Sequence, residues 1–161
     1  MKLDTILVPL DGSFLAEAAL PQAIDLAGTS GARLLLLRAA EAHTLPGADP
    51  TEAQVRVVEE AEAYLAEVAG RLATYGLRKV ESSVWYGPAA RAIVEAASFH
   101  SVDLIVMTTH GRSGIGRLIL GSVAESVLRG TTRPILLIRV PEAPVDAPSG
   151  SGQAGPWARG G

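Results

Sequence analysis

The chain has 161 residues, enough for one domain with a hydrophobic core and too few for two of ordinary size. Apolar residues make up 48% of it and aromatic residues only 4%, a balance that suits a buried sheet covered by helices better than an all-β sandwich. The net charge of −3 gives no basic face for DNA or RNA, and the lack of cysteine excludes disulfides, thiol catalysis and thiolate metal sites, so we expect a cytoplasmic protein without a nucleic acid partner.

The first predicted element is a strand at Ile6–Val8, where uninterrupted apolar residues are typical of a strand buried on both faces. Apolar residues then recur at helical spacing from Phe14 to Ala27, and Gly28 and Gly31 supply the stop. Pro21 lies inside this predicted helix and indicates a kink. A second buried strand follows at Leu34–Ala40.

The next predicted element is a long helix that begins at Asp49–Glu52, where a capping residue, a proline and an acid follow one another in the order typical of helix starts. The helix should end near Tyr75, before Gly76. Its buried face is predicted to contain, with Glu62 as a polar exception, Val55, Val58, Leu65, Val68 and Leu72.

Three further strands and two short helices complete the prediction: strands at Val80–Tyr86, Val102–Met107 and Ile135–Val140, and helices after Gly87-Pro88 and from Ser122 to about Arg129. Strands that alternate with helices predict an α/β fold, namely a single-domain, doubly wound, five-stranded parallel sheet with helices on both faces. Residues 141–161 contain nine Gly or Pro, so we expect a domain at 1–140 and a disordered tail at 141–161. No apolar run approaches the ~20 residues of a membrane span.

Two predicted loops carry candidate functional residues, because the ligand crevice of an open parallel sheet lies at the carboxyl ends of its strands. In the loop at 9–13, Asp11 is placed to accept hydrogen bonds from ribose hydroxyls or to help hold Mg²⁺. The alternative, equally consistent with the sequence, is that Asp11 caps the turn and Ser13 caps the helix.

The second loop, at 110–122, is rich in glycine and precedes a helix start, a combination that favours phosphate. Ser122 and Glu125 form a Ser-x-x-Glu capping box, so Ser122 also has a structural explanation. The segment Gly111–Leu118 has P-loop spacing but lacks the Lys and Ser or Thr of that motif, which argues against an ordinary P-loop hydrolase. The fingerprint Gly-x-Gly-x-x-Gly is absent after the first strand, so NAD and FAD are poor candidates.

Four segments in order, Ile6–Ser13, Met107–Gly114, Leu120–Glu125 and Pro134–Ile138, resemble the universal stress protein family. The resemblance covers residues 2–140 and implies a Rossmann-like, adenine nucleotide alpha hydrolase-like fold. Members that bind ATP carry Gly-x-x-Gly, nine further residues, and then Gly followed by Ser or Thr. Gly111 and Gly121-Ser122 match the later parts of this pattern, whereas Thr108 stands in place of its first glycine.

The resemblance implies a nucleotide sensor or switch that binds ATP or another adenine nucleotide with Mg²⁺, with at most slow hydrolysis. The sequence itself offers no identifiable catalytic residue. Asp11 would lie near the ribose or the metal, and Ala39 would offer backbone groups to adenine. The other implied binding residues are Pro9, Leu10, Met107 and Thr108 around the nucleoside, and Gly111, Arg112, Gly114, Gly121, Ser122 and Val123 around the phosphates.

Members of this family form dimers in which the last strands of the two subunits pair. The resemblance therefore implies a homodimer formed by residues 134–140. An apolar edge strand left uncovered would promote aggregation, which gives a physical reason for this pairing. The departure at Thr108 keeps a second hypothesis open, that of a dimeric interaction module with the same fold and no nucleotide.

Overall fold

A computed structural model describes residues 1–110 and 120–140 of the chain. Its centre is a five-stranded sheet in which every neighbouring pair is parallel. The strands follow the spatial order β3-β2-β1-β4-β5, so the direction of winding reverses between β1 and β4. The strands are β1 (Thr5–Pro9), β2 (Arg33–Ala40), β3 (Val80–Tyr86), β4 (Leu104–Thr108) and β5 (Ile135–Ile138). This arrangement confirms the predicted fold class.

The helices of the described residues that cover the sheet are α1 (Phe14–Glu17), α2 (Leu20–Ser30), α3 (Pro50–Ala73), α4 (Ala89–Phe99) and α5 (Ser122–Gly130). Side chains of α1, α2 and α3 pack against one face of the sheet, where they form a core with alternate residues of β1, β2 and β4. The opposite face packs against α4 and α5 and contains the intervening residues of the same strands. The two cores are therefore separated by the sheet itself.

The prediction of one helix from Phe14 to Ala27 is wrong, because α1 is a single turn that ends at Glu17 and α2 begins separately at Leu20. Pro21 lies in the first turn of α2, where a missing N–H costs nothing. In one continuous helix its ring would clash with the carbonyl group four residues earlier, that of Glu17. The proline therefore separates two helices where the sequence indicated a kink.

Helix α3 begins as predicted, because the Asp49 carboxylate accepts a hydrogen bond of 2.8 Å from the Thr51 N–H. Its buried face differs from the prediction. Val55 is 51% exposed and Glu62 is exposed too. The stripe that packs against the sheet recurs at intervals of three or four residues and consists of Ala61, Leu65, Val68 and Leu72. Ala61 fills the place that the prediction gave to its neighbour Glu62.

One carboxylate joins the amino ends of β1 and β4. Asp103, just before β4, accepts hydrogen bonds of 2.9 Å from the backbone N–H groups of Asp4 and Thr5. The predicted tail at 141–161 lies outside the described residues, and so does the segment 111–119 of the second loop. Within the described part, no helix has both the length and the apolar character needed to cross a bilayer.

Candidate functional site

A cavity of about 280 Å³ lies at the carboxyl ends of the strands, where β1 and β4 diverge. This is the place where the topology of a doubly wound sheet leaves room for a ligand. Nine of the residues predicted from the sequence line it together, namely Pro9, Leu10, Asp11, Ala39, Met107, Thr108, Gly121, Ser122 and Val123. The other three predicted residues, Gly111, Arg112 and Gly114, lie outside the described residues.

The loop after β1 is fixed by local hydrogen bonds. The Leu10 N–H donates to the Leu37 carbonyl oxygen at 2.8 Å, which ties the loop to β2. The Asp11 carboxylate accepts a bond of 2.8 Å from the Ser13 N–H, and the Ser13 hydroxyl accepts one of 3.2 Å from the Ala16 N–H. Gly12 between them has φ of 83°, which favours glycine. Both predicted caps are thus present, and Asp11 also borders the cavity.

The tip of β4 and the start of α5 are in direct contact. The Gly121 N–H donates to the Thr109 carbonyl oxygen at 2.8 Å. A Cβ atom at position 121 would lie only 2.8 Å from that same oxygen and 3.5 Å from the Cα of His110. The glycine therefore permits α5 to approach the strand tip, and the approach closes one side of the cavity.

Thr108 is buried, with 6% of its surface exposed. Its hydroxyl donates a hydrogen bond of 2.7 Å to the His110 carbonyl oxygen, so the polar group is used within its own loop. The next hydroxyl, that of Thr109, lies 3.1 Å from Nδ1 of His110. Residue 108 therefore presents to the cavity a side chain whose hydroxyl already has a partner.

The predicted capping box at Ser122 and Glu125 is wrong. The cap of α5 is Gly121, no side chain bonds there, and Ser122 is the first residue of the helix. Glu125 instead accepts a hydrogen bond of 2.7 Å from Arg129, one turn further along. The first intrahelical bond runs from the Glu125 N–H to the Gly121 carbonyl. The N–H groups of Ser122, Val123 and Ala124 therefore precede the helical bonding pattern and are suited to an anion.

Sequence reasoning missed six of the lining residues, namely the apolar Ala16, Leu37, Ala89, Ile93 and Ala124, and the polar Thr109. Ala89 and Ile93 come from the start of α4, which follows β3. Their position beside the cavity could have been predicted from the sequence, because all loops that follow parallel strands lie at the carboxyl ends of the sheet. Gly87-Pro88 after β3 marks such a loop, but this dipeptide has no polar side chain that would indicate a ligand site.

The cavity wall is predominantly apolar and carries one charge. Of its lining residues in the described part of the chain, Asp11 alone is ionisable. Apolar walls with a few polar groups are typical of sites that hold a flat heteroaromatic ring with an attached polar group. Nowhere among residues 1–110 and 120–140 do three His, Asp or Glu side chains converge as a metal site would require.

Comparison with known proteins identifies relatives of this chain. The family model described as the universal stress protein family matches residues 2–139. A universal stress protein of Thermus aquaticus is 37% identical over 137 residues, which cover 84% of this chain and 98% of the relative. The solved structure of universal stress protein UspA from Lactobacillus plantarum has a TM-score of 0.75 and 26% identity, covering 86% of this chain and 99% of that one. A universal stress protein solved in complex with cAMP has a TM-score of 0.68 and 25% identity, covering 86% of this chain and 98% of that one.

Proposed function

Because the chain belongs to the universal stress protein family, we propose that it binds an adenine nucleotide in the cavity between β1 and β4 and acts as a stress-response sensor or switch. The observation that carries the proposal is the meeting of Asp11, the β4 tip and the start of α5 around one apolar cavity. The cAMP complex of a related protein supports the ligand class. ATP is the nucleotide that we propose first, and hydrolysis, where it occurs, is slow.

Each wall of the cavity has chemistry that suits one part of the nucleotide. Leu37 and Ile93 are apolar and buried, so they suit the faces of adenine, and the backbone of Ala39 offers hydrogen bonds to its edge. The Asp11 carboxylate accepts from ribose hydroxyls. Phosphates are bound by the N–H groups at the start of α5, together with the Ser122 hydroxyl. The predicted phosphate contacts of Gly111, Arg112 and Gly114 stay predictions.

The substitution of threonine for the first glycine of the family pattern is compatible with this arrangement. The Thr108 hydroxyl is bonded to the His110 carbonyl, so nucleotide binding does not leave it buried without a partner. The nucleotide would contact the small Thr108 side chain next to its ribose. A nucleotide without a large ribose substituent is therefore accommodated.

Mg²⁺ fits the site as a companion of the phosphates. This ion is commonly held by one or two carboxylates together with phosphate oxygens and water, and Asp11 supplies one carboxylate. When bound, the ion would neutralise phosphate charge beside Asp11. The contribution of the chain itself is to place that carboxylate at the cavity edge.

The decisive experiment is isothermal titration of the full chain with ATP, ADP, AMP and cAMP, with and without Mg²⁺. Acid extraction of a separate sample first shows whether a nucleotide co-purifies. Ala39→Trp should abolish binding, because the ring would fill the cavity that Ala39 lines. Ala63→Trp, on the exposed side of α3, is the matched control and should bind normally. If the unaltered chain neither binds a nucleotide nor co-purifies with one, the ligand-free interaction module becomes the better hypothesis.

We also propose that the protein is a homodimer formed through residues 134–140. Strand β5 lies at the edge of the sheet, and its four apolar side chains, Ile135 to Ile138, are only partly buried. Pairing with a second copy would cover them and extend the hydrogen bonding. Light scattering should give about twice the chain mass of 16.7 kDa. A mass equal to one chain at micromolar concentration would refute the dimer.

A further inference from the structure

A buried carboxylate next to the cavity has no part in the proposed nucleotide contacts. Glu17, the last residue of α1, is only 7% exposed. One of its oxygens accepts hydrogen bonds from the Tyr64 hydroxyl at 2.9 Å and from the Arg71 guanidinium at 2.8 Å. Its other oxygen accepts a second bond from the same guanidinium at 3.1 Å. Both partners belong to α3, so Glu17 fastens α1 to that helix.

Helix α1 depends on this attachment. A single helical turn is not stable by itself, and the first residue of α1, Phe14, is 57% exposed and adds little packing. Of the four residues of α1, two are buried, Ala16 and Glu17. Ala16 also lines the cavity. The position of the turn is therefore set to a large extent by the bidentate contact of Glu17 with Arg71.

The same turn positions Asp11. The Asp11 carboxylate is bonded to the Ser13 N–H, and Ser13 in turn caps α1 through the Ala16 N–H. Displacement of α1 would thus be transmitted to the carboxylate through two hydrogen bonds, of 3.2 Å and 2.8 Å. The pKa of the Tyr64 hydroxyl is raised, first by burial and then by its bond to Glu17, whose charge also raises it. The hydroxyl therefore stays protonated and remains a donor to Glu17.

We propose that Glu17 is a positioning residue for the nucleotide site, which holds α1 against Tyr64 and Arg71 so that the loop before it presents Asp11 to the ribose. This inference rests on the proposed function. It assigns α3 a role in binding although α3 contributes no residue to the cavity wall that the structure describes. It also gives the ion pair a role other than stability, since replacement of a buried ion pair by apolar side chains is often neutral or stabilising.

The first test needs no ligand. Hydrogen exchange of the amides at 11–18 should become at least about tenfold faster in Glu17→Gln, because the loop loses its attachment while the rest of the chain stays folded. Tyr64→Phe, which removes one hydroxyl, should produce a smaller acceleration at the same amides. Asp103→Asn is the control, since Asp103 also joins two elements, but at the amino ends of the strands and so on the side of the sheet away from the cavity. Unchanged exchange at 11–18 in Glu17→Gln would overturn the proposal.

The second test separates positioning from stability. The ratio of the dissociation constants for 2′-deoxy-AMP or 3′-deoxy-AMP and AMP measures how well the ribose hydroxyls are recognised, and about tenfold discrimination is expected in the unaltered chain. Asp11→Ala should remove this discrimination, and Glu17→Gln should reduce it towards the same value. Asp103→Asn should leave it unchanged even where the variant is less stable.

The outcomes distinguish the two proposals. An unaltered chain that binds no adenine nucleotide would overturn the proposed function and the ribose role of Glu17 together, whereas the exchange result would still decide whether Glu17 orders the loop. An unaltered chain that binds and discriminates, with a Glu17→Gln variant that discriminates equally well, would overturn the positioning role alone.

Discussion

The contact between Gly121 and the tip of β4 makes the replacement Gly121→Ala a sharp test of the geometry. The added Cβ atom would lie 2.8 Å from the Thr109 carbonyl oxygen, which belongs to the backbone and cannot rotate away. The backbone at Gly121 has φ of −61° and ψ of 153°, values that alanine adopts readily. The whole effect must therefore come from the contact and not from backbone strain.

The expected cost follows from two terms. Insertion of a methyl group into a close contact costs about 1–3 kcal/mol. The hydrogen bond from the Gly121 N–H to Thr109, 2.8 Å long, is lengthened as α5 moves away, which removes up to about 1 kcal/mol. We expect the free energy of unfolding to fall by about 1–4 kcal/mol, and the urea midpoint to fall by about 0.5–2 M at an m value of ~2 kcal/mol/M. Nucleotide affinity should fall as well, because the start of α5 is displaced from the cavity.

Urea denaturation followed by circular dichroism measures this change, and Gly70→Ala provides the matched control. Gly70 lies inside α3, and a Cβ atom added there would meet no atom within 4 Å outside the backbone of its own helix and its chain neighbours. Its replacement should raise the stability by about 0.5–1 kcal/mol, because alanine favours the helix. A Gly121→Ala protein with the midpoint of the unaltered chain would refute the close approach of α5 to β4.

Three further predictions concern other parts of the molecule. Leu65→Ala should lower the stability by about 2–5 kcal/mol in urea titrations, because this side chain of α3 is fully buried; a loss below that range would show that the core rearranges. Gly87→Ala should cost about 1–3 kcal/mol, because φ at Gly87 is 128°, and a thermal midpoint equal to that of the unaltered chain would contradict this. The backbone N–H groups of Thr5 and Asp4 hold the pKa of Asp103 below its ordinary value of 3.8. The ionised carboxylate therefore stabilises the fold above pH 3.8, and this stabilisation disappears as the pH falls through the lowered pKa. Asp103→Asn should therefore lower the stability at pH 7 and weaken its decline in acid; pH titrations that parallel those of the unaltered chain would argue against it.

The sequence was sufficient to predict the strands and the position of the cavity at their carboxyl ends, because each depends on local patterns. Continuous apolar runs identify β1, β2 and β4, and the strand tips in a parallel sheet meet at one edge. Asp11 and Gly121 were found for this reason. The N-terminus of α3 was also predictable, since Asp49 and Pro50 specify a helix start by their own chemistry.

The parts that were not predictable depend on contacts between distant residues or on competition between local patterns. Glu17 is bound by Tyr64, 47 positions away in the chain, and nothing around Glu17 in the sequence indicates that it is buried. Ser122 and Glu125 form a valid capping pattern, but Glu125 and Arg129 form an equally valid pair one turn apart, and the helix uses the second. Sequence patterns identify the available interactions, and the tertiary structure selects among them.

The division of the interior into two cores has an evolutionary consequence. The cavity takes Leu37, Ile93, Met107 and Ala124 from the core beneath α4 and α5, and it takes only Leu10 and Ala16 from the core beneath α2 and α3. Substitutions in the core beneath α2 and α3, away from α1 and Tyr64, can therefore accumulate, or be engineered to raise the thermal stability, with little effect on what the protein recognises. Substitutions in the core beneath α4 and α5 change stability and recognition together. Related proteins should therefore diverge in ligand preference mainly through that half of the molecule.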